Sequence, residues 1–437
     1  MSRIVQVYTE KVTPRLKYSL DLVFTTILNI EYILTESPDP DQPLVNYSDD
    51  RSVGGIFIQP DGLLFETGIR KQDIWVAHSE GLPMFFQQPP EAGFIMDIFS
   101  FAFYLVSRYE EYLPYTRDEH GRFAAESSLA YKHNFLDLPV VDLWVLKFGE
   151  RLSLLYPKLK IEVPVYSSML TVDVDVPFAY RGKGLIRNIG GMVRDSFTGI
   201  SMVERYRCML KKDKDPYDTF SFLNSVADDA GVPVKYFFTT GNRSSFDKNP
   251  LPSRPCYRKL IRKLATKYEI GLHPSYRSDR DVALARKEQL RLEKVSGMQI
   301  NSIRKHYLLM SFPKTYQDYT ELGISNDYTL GYAREAGFRA GIARPFFFYD
   351  LELERISDLR LHPFQYMDNT LKQYKRFTHS EALEHITHLV DQTRRVGGTF
   401  ISLWHNTSLA ERDGWEGWTD VYREAIKYQA GLEIIEK

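Results

Sequence analysis

Short apolar runs alternate with helix-like segments through the second half of the chain. Each run has the length of a buried strand, and the segments between the runs carry apolar residues at helical spacing. The runs are Met169–Asp175, Val234–Thr239, Glu269–His273 and Thr399–His405, and the helical segments are Tyr217–Ala230, Tyr257–Lys267 and Ser380–Arg395. This alternation predicts an α/β fold with a mostly parallel sheet or barrel.

The first half has a different pattern and predicts a smaller α+β domain. Its predicted strands are Val5–Tyr8, Gly54–Ile58 and Leu63–Phe65, and its predicted helices are Arg15–Leu28, Ile95–Tyr112 and Pro139–Tyr156. A chain of 437 residues is long enough for two domains. We therefore divide it into residues 1–165 and 166–437, and the role of the first part is left open.

Composition narrows the classes of function. The chain has 56 basic and 57 acidic residues, and a net charge of -1 gives no general attraction to nucleic acid or to an anionic membrane. No stretch approaches the ~18 consecutive apolar residues of a membrane span, and the N-terminus lacks the apolar region of a secretory signal. The two cysteines, Cys208 and Cys256, fit a reducing compartment. We expect a cytoplasmic protein, and a homo-oligomer is left open.

Ionisable side chains stand at the C-terminal ends of the predicted strands. Asp173 and Asp175 close one strand, His273 closes another, and His405 closes the last. In β/α barrels the active site is built at this rim. We expect these four side chains to converge on one site.

The spacing of the two aspartates bears on their chemistry. Residues two apart on a strand face the same side, and adjacent ionised carboxylates repel each other unless a cation or a shared proton intervenes. A metal with Asp173 or Asp175 as ligand and the other as base is one solution. An Asp-rich strand end that caps a helix is the other interpretation.

The histidines extend this interpretation. His273 and His306 each follow a predicted strand, and imidazole is a common ligand of zinc-like ions. Arg304 has the same parity as His306 and could orient a carboxylate. His405, if it is not a ligand, could act as a general acid. One aspartate and two histidines make a three-ligand site, and the remaining base and acid complete metal-assisted amide hydrolysis.

These segments resemble the motifs of the polysaccharide deacetylases with the NodB-homology fold. The segment Thr171–Pro177 resembles the first motif, Gly271–Ser275 the second and Leu403–Asn406 the last, and Arg304 stands where the third-motif arginine would fall. The resemblance covers about residues 165–437, and it is strongest for a bacterial branch with an uncharacterised N-terminal domain. It implies a distorted (β/α) barrel of about seven strands.

The resemblance also implies a role for each residue. By position, Asp173 is the general base, Asp175 and His273 are ligands of a divalent metal, expected to be zinc, Arg304 orients Asp173, and His405 is the general acid. The implied reaction removes an N-acetyl group from a sugar, a glycan or a lipid-linked glycan precursor.

The chain departs from the family pattern at two positions. Val174 separates the two carboxylates, which are usually adjacent. The second motif usually has another histidine four residues after the first, but this chain has Arg277 there, and arginine cannot ligate a metal. We expect His306 to be the third ligand instead.

Three hypotheses of function remain open at this point. The first is the deacetylase, and the second is a hydrolase of another linear or cyclic amide, as in allantoinase-like relatives. The third is a catalytically silent barrel that binds glycan or assembles with biosynthetic enzymes, which Arg277 favours. Asp327 and Asp368 either line the pocket or cap turns.

Overall fold

The computed structural model describes residues 4–89, 91–183, 202–210 and 212–432. The strands are β1 Ile4–Tyr8, β2 Glu31–Thr35, β3 Leu44–Asn46, β4 Ile56–Phe57, β5 Ala77–Ser79, β6 Leu82–Met84, β7 Ser167–Val174, β8 Val234–Phe238, β9 Glu269–Leu272, β10 Ser302–Ile303, β11 Asn326–Asp327, β12 Phe346–Asp350, β13 Arg355–Leu361, β14 Tyr366–Met367 and β15 Thr399–His405. The helices are α1 Pro14–Leu20, α2 Ile98–Val106, α3 Leu129–Lys132, α4 Val140–Leu155, α5 Met202–Met209, α6 Phe220–Asp229, α7 Pro255–Ala265, α8 Val282–Ser296, α9 Lys314–Glu321, α10 His379–Arg395 and α11 Trp418–Gln429. Within these ranges no helix has both the length and the apolar character that crossing a bilayer requires.

The second half is built on one nine-stranded sheet. Its strand order is β12-β13-β11-β10-β9-β8-β7-β15-β14. Neighbouring strands are parallel except for the antiparallel pair β12 and β13. The prediction of an α/β fold with a parallel sheet is confirmed. In the described part of the chain the end strands β12 and β14 do not pair with each other, so a closed barrel of about seven strands stays a prediction.

The sheet packs on an inner layer of side chains. Phe237 of β8 and Leu403 of β15 share this apolar cluster with Tyr328 and Phe364, which follow β11 and β13. The guanidinium of Arg304 lies over the Phe237 and Phe364 rings, at 4.7 and 5.4 Å from their centroids. This apolar layer therefore packs against the side chains at the C-terminal ends of the strands.

The first half has its own four-stranded parallel sheet, in the order β2-β1-β3-β4. The predicted strand at Leu63–Phe65 is wrong, because these residues form a single turn of 3-10 helix. Gly62 precedes the turn with φ 112°, a left-handed conformation that glycine adopts without a steric penalty. Leu63 and Leu64 are both buried, whereas the alternation of a strand with one solvent-facing side would expose one of them.

Buried ion pairs join the two halves. Glu111 accepts hydrogen bonds from Arg339 Nη2 at 2.6 Å and from Arg108 Nε at 2.8 Å. Asp142 of α4 accepts from Arg344 Nε at 2.5 Å. One hydrophobic core also runs through both halves. The division near residue 165 stays a prediction, but the contacts across it are extensive and buried.

Replacing Glu111 with glutamine tests how much the buried ion pairs between the halves contribute to the stability of the protein. The substitution leaves Arg108 and Arg339 buried without their shared carboxylate, so we expect the free energy of unfolding to fall by about 3–5 kcal/mol. Denaturant-induced unfolding measures the change. The control is Glu80→Gln, which removes an exposed pair with Lys147 and should cost less than about 1 kcal/mol. An equal loss of unfolding free energy in the two variants would contradict the stabilising role of Glu111.

Candidate metal and catalytic site

Strand register brings the polar strand ends together. The parallel pairing of β7 with β15 places Asp173 opposite His405. The last residues of β9 and β10 are also paired, so His273 and Arg304 follow at the same edge of the sheet. Four side chains from distant parts of the sequence thereby project from one rim.

His273 directs its second nitrogen at a carboxylate. Its Nδ1 lies 2.6 Å from the backbone oxygen of Arg304, and because a carbonyl only accepts, Nδ1 must carry the proton. In the neutral ring Nε2 then holds a lone pair, 3.1 Å from Oδ1 of Asp175. Two acceptors at this distance require a second proton or a cation between them.

Asp175, His273 and His306 form the one group of potential metal ligands found among the described residues. One donor atom from each lies within 4.8 Å of the others. His306 Nε2 is 3.6 Å from Oδ2 of Asp175, while its Nδ1 is 2.9 Å from Oδ1 of Asp247. Oδ1 of Asp175 is buried and accepts no hydrogen bond from the described residues. An aspartate oxygen and two imidazole nitrogens are suitable ligands for a divalent ion such as zinc.

The electrostatics of this group stabilise positive charge beside Asp175. Burial raises the pKa of Asp175, but His306 and His273 lower it more, and the net pKa lies well below the ordinary value. Burial lowers the pKa of His306, and Asp175 and Asp247 together raise it to about 9. The carboxylate is therefore ionised and draws positive charge to this point.

Asp173 is held by Arg304. Nη1 of Arg304 donates to Oδ1 of Asp173 at 3.1 Å and to Oγ1 of Thr171 at 2.8 Å, and its Nε donates to the Tyr328 carbonyl at 2.9 Å. The arginine side chain is fully buried. The second oxygen of Asp173 lies 3.7 Å from His273 Nε2. One carboxylate oxygen is thus fixed and the other is available at the site.

His405 is fixed in the same manner as the other histidines. Its Nδ1 is 2.8 Å from Oδ1 of Asp368, and its backbone N–H donates to Oδ2 of the same carboxylate at 2.7 Å. Its Nε2 lies 3.7 Å from Oδ2 of Asp175. Burial lowers the pKa of His405, but Asp368, Asp175 and Asp173 raise it to about 10. The imidazole therefore readily carries a proton on Nε2.

These side chains open into one cleft. Phe246 is an exposed aromatic at its edge and stacks on Tyr276, with ring centroids 4.0 Å apart and an interplanar angle of 14°. Besides the site residues, the lining includes Arg122, Val176, Phe246, Lys248, Lys305, Tyr307, Leu308, Ala333, Met367, Asn369, Gln373 and Tyr374. The cleft thus combines a charged floor with a flat apolar edge.

The structure brings the residues predicted from sequence to one place. Around this cleft lie Asp173, Asp175, His273, Arg304, His306 and His405. Arg277, by contrast, is exposed and does not line the cleft. Asp327 is buried and accepts hydrogen bonds from Thr329 and Tyr316, so it stabilises a turn. Asp368 lies behind His405 and orients it.

Asp247 was missed by sequence reasoning. It lies in the loop after β8, well beyond the strand end, so the strand-end pattern does not point to it. Ser244 Oγ donates to its Oδ2 at 2.6 Å, and Tyr276 N–H donates to its Oδ1 at 2.8 Å. Its side chain is fully buried. Only the folded chain shows that this carboxylate orients His306.

One family model matches the N-terminal half of the chain. Residues 5–157 match a protein family described as a family of unknown function, DUF7033. Among curated proteins, none matches this chain in sequence.

Several solved structures are similar to part of this chain. One, from Mycobacterium smegmatis, is described as a presumed polysaccharide deacetylase; it is 17% identical with a TM-score of 0.41, and the match covers 62% of this chain and 85% of that one. Another, described as a probable polysaccharide deacetylase from Pseudomonas aeruginosa PAO1, is 11% identical with a TM-score of 0.38 and covers 60% and 84%. A family 4 carbohydrate esterase from Streptomyces lividans is 10% identical with a TM-score of 0.26 and covers 61% and 86%.

Replacing Asp247 with asparagine tests the support of His306. Loss of the carboxylate that holds the Nδ1 proton should weaken zinc affinity by about 10–100-fold, as is typical for partners of metal-bound histidines. Competition with a fluorescent chelator measures the dissociation constant. The control is Asp279→Asn, since Asp279 pairs with Lys305 and not with a histidine. Unchanged affinity in Asp247→Asn would contradict the role.

Proposed function

We propose that this protein is a metal-dependent hydrolase that removes an N-acetyl group from a sugar, whether free, polymeric or lipid-linked. The observation that carries the proposal is the convergence of His273 Nε2, His306 Nε2 and the Asp175 carboxylate beside Asp173 and His405. A divalent ion held by Asp175, His273 and His306 would supply Lewis acidity and lower the pKa of water. The base and the acid are then provided by the chain itself.

Asp173 is suited to remove a proton from the attacking water. Its Oδ1 accepts a hydrogen bond from Arg304, which fixes the orientation of the carboxylate. Its other oxygen is 3.7 Å from His273 Nε2 and therefore lies beside the proposed ligands. Such a positioned base typically contributes about 10²–10⁴-fold to the rate.

His405 is suited to protonate the leaving nitrogen. It stands opposite Asp173 across the pairing of β15 with β7, so a substrate amide between the two strand ends can contact both. The buried carboxylate of Asp368 stabilises the imidazolium and sets its orientation. The carboxylate and the imidazole thus divide the roles of base and acid.

The cleft supports a carbohydrate as substrate. It is open and mostly polar at its floor, and the Phe246 ring at its edge offers a flat apolar surface against which a sugar ring can pack. The motif resemblance of residues 165–437 to polysaccharide deacetylases supports the same class. The silent alternative rested on the missing histidine at position 277, and the position of His306 beside Asp175 and His273 supports a working site instead.

Metal analysis of His306→Ala, paired with acetate release from a panel of N-acetyl sugars, tests the proposal. We expect wild type to bind one zinc ion and release acetate. The variant should lose tight binding because two protein ligands are fewer than catalytic zinc sites use. His388→Ala is the control, since His388 is exposed and pairs with Asp137. Stoichiometric zinc at wild-type affinity in His306→Ala would remove His306 from the ligand set. Zinc binding without acetate release from any sugar would favour another amide or a silent protein.

Replacing His405 with alanine separates acid from ligand. We expect zinc affinity to stay at the wild-type value and turnover to fall by about 10²–10⁴-fold, because only the proton donor is removed. Steady-state acetate release and metal content measure the two effects independently. A variant that loses both zinc and activity would show that His405 is a ligand instead.

A further inference from the structure

We propose that a turn of the N-terminal half, residues 118–122, positions the loop that carries His306. The inference rests on the proposed function, since it gives this turn the task of holding the third metal ligand. The contact is direct: Nη1 of Arg122 donates to the backbone oxygen of Tyr307 at 2.6 Å. Tyr307 is the residue that follows His306, so the hydrogen bond fixes the peptide beside the ligand.

Arg122 is itself held firmly within its turn. Its Nε donates to Oδ2 of Asp118 at 2.6 Å, and its backbone N–H donates to Oδ1 of the same carboxylate at 3.0 Å. A backbone hydrogen bond from the Asp118 N–H to the Arg122 carbonyl, at 3.0 Å, closes the turn. The side chain of Arg122 is nearly fully buried. The guanidinium is therefore pre-oriented toward the loop.

The loop needs such support because its backbone is unusual. Tyr307 has φ 58° and ψ 12°, and Leu308 has φ 53°. Two successive non-glycine residues in the left-handed region are unfavourable without tertiary contacts. The His120 ring, from the same turn as Arg122, packs on the Tyr307 ring with centroids 4.9 Å apart. The turn thus contacts both the backbone and the side chain of the strained residue.

One further feature of Arg122 points to this role. Its Nη2 is buried and has no hydrogen-bond partner among the described residues, which is unfavourable for a guanidinium. The residue lines the cleft of the proposed site and also a neighbouring pocket whose lining comes from both halves. A buried donor without a partner does not stabilise the fold. The contacts that Nη1 and Nε of Arg122 make therefore explain the residue better than a general stabilising role does.

Zinc affinity of Arg122→Gln tests the proposal. We expect the dissociation constant to rise by about 10–100-fold, the range for groups that orient metal ligands, with little change in the melting temperature of the metal-free protein. Arg122→Lys keeps the charge and one donor and should recover part of the affinity. The matched control is Arg334→Gln. It removes an exposed pair with Glu119 of the same turn and should leave zinc affinity unchanged.

Hydrogen exchange of the metal-free protein gives a second readout. The N–H groups of Leu308 and Leu309 donate to the backbone oxygens of Lys305 and His306, so their exchange reports the order of this loop. We expect faster exchange there in Arg122→Gln and wild-type exchange in Arg334→Gln. If Arg122→Gln unfolds, Arg122→Lys decides by the same two measurements.

The two proposals fail in different ways. Wild-type zinc affinity and wild-type exchange in Arg122→Gln would overturn the positioning role, while a loss of zinc in His306→Ala would still support the hydrolase. Absence of zinc binding in the wild type would overturn the metal site. Exchange of the loop would then still decide whether the turn holds it.

Discussion

Each of the three histidines at the site is held by its Nδ1 atom, and this constraint determines where its Nε2 points. An imidazole that is free to rotate would direct its lone pair elsewhere or bind water. Here a carbonyl and two buried carboxylates fix the rings, so that all three Nε2 atoms face Asp175. Arg304 orients two residues of the site, because its backbone oxygen accepts a hydrogen bond from His273 and its guanidinium donates one to Asp173. The chemistry of the cleft depends on this anchoring.

The parallel sheet supplies the framework on which the anchoring acts. Its strands end at one edge, and hydrogen bonds continue the ladder just past the strand ends, from His273 N–H to Phe238 O and from Arg304 N–H to Leu272 O. Beneath them the apolar layer around Phe237 keeps water from the Arg304–Asp173 pair. With water excluded, the charged hydrogen bonds are stronger than they would be in solvent.

Sequence pattern predicts the strands and their polar ends but not the residues that hold those ends in place. Asp173, His273 and His405 are readable because each closes an apolar run. Asp247 and Arg122 are not, since they lie in loops and reach His306 and Tyr307 only after long separations in the chain. At Leu63–Phe65 the pattern predicted a strand that does not form. Three apolar residues after a glycine are too few to show whether the hydrophobic period is that of a strand or that of a helical turn. Whether the sheet closes into a barrel also cannot be predicted from the local sequence pattern, because closure depends on pairing between distant strands.

The hydrogen bond from Arg122 to the Tyr307 carbonyl has a consequence for how the halves hold together. Where docking of one half raises the affinity of the other for an ion, thermodynamic reciprocity requires the ion to strengthen docking by the same factor. An ion bound at the site would then stabilise the contacts between the two halves. In this protein the ion would thereby add to the stability that the buried Glu111–Arg339 pair gives to the seam between the halves.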